Sequence, residues 1–86
     1  NDFATYYPAG AGLSATWNPQ LAYTFGNSVG EESRARDKDV ILSPAINIIR
    51  TPLGGRTYEY LTEDPFLNKK LTVPFIVGIQ DNDVAA

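Results

Sequence analysis

The 86 residues contain no cysteine and no histidine. Without cysteine there is no disulfide scaffold, no thiolate zinc site and no thiol nucleophile. No compartment follows from this, because many exported proteins also lack cysteine. Without histidine the commonest general base, the Ser-His triad and the usual transition-metal ligand are missing. Basic charge is scarce too: Lys plus Arg is 7 against 10 for Asp plus Glu, a net charge of −3. A nucleic-acid binder needs a concentrated basic surface to displace counterions, so this balance argues against that partner. No apolar run approaches the roughly 20 residues that span a bilayer, which argues against a membrane segment. No basic stretch followed by an apolar one opens the chain, so any export signal is expected outside these residues. What remains is the composition of an ordinary globular chain of one domain at most, 43% hydrophobic and 20% charged. Most catalytic chemistries are excluded within it.

Strand-like and helix-like segments alternate, the pattern of βα units with a parallel sheet. Ala4-Thr5-Tyr6-Tyr7 is β-prone and is stopped by Pro8 and a flexible Ala9-Gly10-Ala11-Gly12. Asn18-Pro19 is a cap residue followed by proline at the first helical position. Leu21, Phe25 and Val29 then recur every four residues, predicting a helix to about Arg36 with that face inward. Gly26 and Gly30 inside it each cost about 1 kcal/mol of helix propensity. Close packing against a sheet is the expected reason. Val40-Ile41-Leu42 has no alternation and suits a strand buried on both faces, with Pro44 at or just beyond its end. Residues 45–61 form a long connection, and loops of this length in α/β units are usually functional. Asp64-Pro65 repeats the cap-then-proline device, and Leu67, Leu71, Phe75 and Ile79 mark a second helix. Pro74 is expected to kink or restart it. Asp81-Asn82-Asp83 reads as a turn and Val84-Ala85-Ala86 as the start of a strand. The whole reads β-α-β-α-β.

Gly10-Ala11-Gly12-Leu13-Ser14-Ala15 fits the spacing of a dinucleotide fingerprint, but the acidic ribose-binding residue after the second strand is missing. A loop is the better reading. Glu59 and Glu63 are four apart, and glycoside hydrolysis needs a carboxylate pair across the scissile bond. A pair from one short segment rarely straddles a sugar ring. Glu59 can instead orient Arg56, and Glu63 with Asp64 stands where carboxylates favour a helix N-terminus. Asp81-x-Asp83 and Asp37-x-Asp39 lack the other ligands of a calcium loop, so no metal site is expected. Arg34, Arg36, Lys38, Lys69 and Lys70 read as solvated helix faces. Arg56 differs from these. It follows Gly54-Gly55 in the long loop after a buried strand, the side of an α/β unit where ligands bind. The glycines give that backbone conformations closed to other residues. Composition by itself still favours an ordinary structural arginine there.

The stretch from Ser43 to Pro65 closely resembles the signature of glycoside hydrolase family 3, with Asn47, Arg50, Pro52, Gly55, Arg56, Glu59, Glu63 and Asp64 at motif positions. Tyr7-Pro8, Gly12 to Asn18, and Glu31 to Ala35 resemble flanking family motifs. Ser43, Thr57 and Thr62 depart mildly from the pattern, and Pro74 is unusual. The resemblance implies a retaining β-glucosidase or related exo-glycosidase built on a (β/α)₈ TIM-type barrel. Residues 1–86 would be part of the N-terminal barrel domain, incomplete at both ends. The family's aspartate nucleophile, its acid/base, one sugar-binding aspartate and a Lys-His pair would lie outside the segment, so no catalytic residue is expected within it. Arg56 matches a family substrate-binding residue. Its planar fork can donate to two neighbouring oxygens and stays charged at any working pH. Asn47, Arg50, Glu59 and Asp64 are assigned scaffolding roles. No cofactor is implied. The implied partners are a β-glucoside or oligosaccharide and the remainder of the same enzyme. The family is compatible with a periplasmic or secreted protein, and the residues themselves assign no compartment. The competing class is a non-catalytic structural or assembly fragment.

Overall fold

A computed structural model of the chain describes residues 4–86. Among these residues three helices form: α1 over Gly10–Ser14, α2 over Pro19–Ala35 and α3 over Pro65–Gln80, with a 3₁₀ turn at Thr57–Glu59. Both long helices start as their sequences dictate. The Asn18 side chain accepts a hydrogen bond from the Leu21 N–H at 3.2 Å, and Asp64 accepts from the Phe66 N–H at 2.9 Å. Each cap satisfies one orphan donor, and the proline that follows has no N–H to leave unpaired.

α3 buries the expected stripe of Leu67, Leu71, Phe75 and Ile79. It runs through Pro74 as one element rather than restarting there. The missing N–H costs the helix about 3 kcal/mol. Burial of Leu71, Phe75 and Ile79 on either side of Pro74 opposes that loss.

The buried face of α2 differs from the expected one. Ala22, Gly26, Gly30 and Ser33 face inward, while Leu21 is exposed and Phe25 and Val29 are half-buried. The neighbour is a helix and not a sheet. A Cβ at Gly26 would collide with the Phe75 carbonyl group, and one at Gly78 would lie 2.6 Å from the Asn27 nitrogen. The two backbones thus approach more closely than larger side chains permit. Small residues outrank the larger apolar ones because they allow this contact. Phe25 still contributes at the margin, its ring 5.2 Å from Tyr7 and 5.4 Å from Phe75 between centroids.

The expected strands are largely replaced by extended segments. Among the described residues there are two isolated parallel bridges, Val40 with Ala85 and Ala45 with Tyr60, and no longer ladder. Thr5 donates its N–H to the Glu32 carboxylate at 2.8 Å instead of to a neighbouring strand. Pro44 has no N–H to extend the pairing around Val40. The expected double-sided burial of Val40-Ile41-Leu42 is also corrected. Ile41 packs on the core, whereas Val40 is 64% and Leu42 100% exposed. The helices cover one side of this segment only.

Two further expectations change. Gly10–Ser14, read as a loop, forms a short helix that is tied down when the Ser14 hydroxyl donates to the Leu61 carbonyl. Arg34, read as solvated, joins three parts of the chain. Its guanidinium donates to the Asn82 carbonyl at 3.3 Å, to the Asp83 carbonyl, and to Asp39 Oδ1 at 3.2 Å. It thereby links the end of α2 to both segments of the Val40–Ala85 bridge. The core comprises Leu13, Ala22, Leu61, the α3 stripe and Val84.

Candidate functional site

The long connection between α2 and α3 folds back on itself. Ala45 bridges to Tyr60 in the parallel sense, and the Ile49 N–H donates to the Thr62 carbonyl at 3.3 Å. The 3₁₀ turn at Thr57–Glu59 presents Arg56 and Glu59 together. α1 buttresses this turn from behind. A Cβ at Gly10 would sit 2.9 Å from the Glu59 carbonyl oxygen, so only glycine permits so close an approach.

Arg56 and Glu59 form a bidentate pair. Nε donates to Oε1 at 2.7 Å and Nη2 to Oε2 at 2.9 Å. The Arg56 side chain is 78% exposed and that of Glu59 only 29%, so the carboxylate is the more enclosed partner. Hydrogen bonding and charge from Glu59 raise the Arg56 pKa, and the same bonds hold the Glu59 carboxyl below the ordinary glutamate range. A carboxylate held ionised in this way is a poor proton donor, since a general acid needs its pKa raised. Glu59 takes two of the five guanidinium N–H donors. Of the three others, one from each Nη forms the end-on edge and the third points back along the Cδ side. Gly54 and Gly55 do not play the conformational role expected of them, because no described glycine has positive φ.

The other motif residues are placed apart by role. Asp64 caps α3. Asn47 and Arg50 are exposed. Arg50 and Glu63, with Tyr58, line an open cleft of about 360 Å³. A second cleft of about 400 Å³ is walled by Tyr58 and Glu59 together with Tyr6, Leu42 and Ser43. Tyr58 therefore stands between two clefts. Sequence reasoning did not single it out, and its one signal was its position two residues after Arg56. Tyr7, whose hydroxyl pKa is raised by burial and by the Glu32 carboxylate, lines a smaller cavity of about 200 Å³ with Glu59. Among the described residues no group of three or more acidic side chains is placed to hold a metal ion. No helix among the described residues is long and apolar enough to cross a membrane.

Two capped helices pack on extended segments joined by two parallel bridges, and the turn between the helices presents an exposed guanidinium. The chain matches the pattern described as glycosyl hydrolase family 3 N terminal domain over residues 1–86, and it belongs to that family. It is 55% identical over 86 residues to a beta-glucosidase of Bacteroides ovatus, covering 100% of this chain and 12% of that protein. It is 43% identical over 81 residues to an exo-alpha-(1->6)-L-arabinopyranosidase of Bifidobacterium longum, covering 94% and 11%. Among solved structures, beta-glucosidase 3B from Thermotoga neapolitana in complex with glucose superposes with a TM-score of 0.87 at 43% identity. That match covers 98% of this chain and 12% of that one. The chain thus spans about an eighth of the length of these relatives.

Proposed function

We propose that these residues are a segment of a retaining, exo-acting β-glucosidase. The complete protein would hydrolyse non-reducing-end β-linked sugars through a covalent glycosyl-enzyme. The segment would supply part of a (β/α)₈ barrel and one sugar-binding side chain, Arg56. The observation that carries the reading is the likeness to a beta-glucosidase solved with glucose, at 43% identity over nearly the whole chain. The parallel sense of both bridges, and helices on one side of an extended segment whose Leu42 is left bare, are what a barrel wall requires. The catalytic carboxylates belong elsewhere in the polypeptide. Glu59 is committed to Arg56, and Asp64 to the α3 cap.

For Arg56 the support is its exposed guanidinium, anchored on one edge and open on the other. Charged hydrogen bonds to a substrate are worth about tenfold to a hundredfold each in a closed site. In the complete protein, Arg56→Ala is expected to lower kcat/KM for an aryl β-glucoside by at least about a hundredfold. Arg56→Lys should recover little, because the fork is lost. A normally folded Arg56→Ala protein within about twofold of the parent would refute the assignment. The 43% identity to an arabinopyranosidase makes the aryl α-L-arabinopyranoside the second substrate to assay.

A further inference from the structure

We infer that Glu59 is the positioning residue of Arg56 and decides which edge of the guanidinium meets the sugar. The inference rests on the sugar-binding role proposed for Arg56. The Glu59 carboxylate occupies Nε–H and one N–H of Nη2, at 2.7 and 2.9 Å. A planar group held at two points cannot swing about its last bond. The free donors are then both protons of Nη1 and the outer proton of Nη2. One proton of Nη1 and the outer proton of Nη2 form the end-on edge of the fork, spaced to reach two oxygens on adjacent carbons, while the second Nη1 proton points back along the Cδ side. A pair of neighbouring ring hydroxyls is the ligand chemistry that fits this edge.

The direction of control follows from what holds each partner. Arg56 is 78% exposed and would otherwise sample many rotamers. Glu59 is the more enclosed of the two, and its backbone is fixed from three sides. The Gly10 backbone lies against its carbonyl, its N–H donates to the Arg56 carbonyl at 3.1 Å, and the next residue bridges to Ala45. The order of support therefore runs from α1 through the 3₁₀ turn to Glu59, and from Glu59 to Arg56. Pre-organising a flexible arginine lowers the ordering cost of binding, which is how a side chain that never touches the sugar affects affinity.

The test is a double-mutant cycle in the complete protein. It measures KM for an aryl β-glucoside and the inhibition constant of free glucose. Glu59→Gln keeps the side chain's shape and one strong acceptor. Glu59→Asp keeps the charge but withdraws it by one methylene. Each is expected to weaken glucose inhibition and raise KM about tenfold with kcat changed less than threefold. In an Arg56→Ala background either change should cost less than twofold. If Arg56→Ala abolishes inhibition while both Glu59 variants stay within twofold of the parent, the positioning role is wrong and the arginine assignment stands. If the Glu59 variants cost as much without Arg56 as with it, Glu59 acts on its own and the inference is overturned. If Arg56→Ala leaves glucose inhibition unchanged, the sugar-binding role of Arg56 fails first, and this inference with it.

Discussion

Replacing Gly26 by alanine sets two effects against each other. In a helix interior the change should stabilise by about 1 kcal/mol, the propensity difference between glycine and alanine. The new methyl group, however, would point at α3. It would overlap the Phe75 carbonyl oxygen and lie 2.9 Å from the Phe75 carbonyl carbon and 3.1 Å from its Cα. These are backbone atoms, so no rotamer change relieves the clash and the helices must move apart. Gly78 faces the same contact from α3, against Tyr23 and Asn27 backbone. Separation would loosen the packing of Phe75 and Ile79, both in the core. Overpacking costs about 1–3 kcal/mol where side chains can adjust, and a backbone collision belongs at or above the upper end. The net expectation is a loss of about 2 kcal/mol, or about 4–8 °C in the melting of a barrel-sized domain. Gly12→Ala is the control. Its Cβ would meet only Pro8 Cβ at an ordinary 3.8 Å, so that variant should be neutral or gain up to about 1 kcal/mol. Thermal unfolding of both variants in the complete protein decides the matter, with hydrogen exchange at α2 and α3 amides reporting where stability is lost. A Gly26→Ala protein at least as stable as its parent would refute the close-approach reasoning.

Three other outcomes are expected. Asp64→Ala removes the cap of α3 and should cost about 1 kcal/mol, read as a fall in the unfolding midpoint; a change below about 0.3 kcal/mol would show that the 2.9 Å bond contributes nothing. The Glu59 carboxyl, held down by Arg56, should titrate below the ordinary glutamate value, so its pairing is intact above that value and is lost only as pH falls through the lowered one. Carbon-13 NMR of labelled glutamate would show this, and in Arg56→Ala the midpoint should return upward; an unchanged midpoint would contradict the pairing. The 86-residue chain expressed alone should self-associate through its unpaired extended segments and bare Leu42, and should not hydrolyse an aryl β-glucoside. A monomer with a cooperative transition and protected Ile41 would contradict that.

Much of the helical part was legible because its causes are local. Asn18-Pro19 and Asp64-Pro65 start helices through hydrogen bonds that span two or three residues. The α3 stripe is a strict four-residue repeat of large apolar side chains, and it is buried as read. Glu59 reaches Arg56 within a single turn, so spacing alone suggested the pair. The family is legible in the motif from Ser43 to Pro65.

Where the partner lies far along the chain, the residues alone did not decide. Whether Leu21 or Gly26 faces inward depends on how near α3 comes, and propensity within α2 carries no record of that distance. Arg34 has the composition of a wet helix face, yet the carbonyls of Asn82 and Asp83, 48 and 49 residues away, make it a junction. Gly10–Ser14 is helical because it can rest on the Glu59–Tyr60 backbone and bond to Leu61. Strand character at Val40-Ile41-Leu42 is the clearest case. A strand is completed by its neighbours' donors and acceptors, and β-branched sequence supplies only the willingness to be extended. Sequence by itself thus determined the starts of the two long helices, the α3 core stripe and the charged pair. Tertiary structure decided the buried face of α2, the reach of Arg34 and the extent of pairing, because each depends on a distance between residues that the chain's order does not contain.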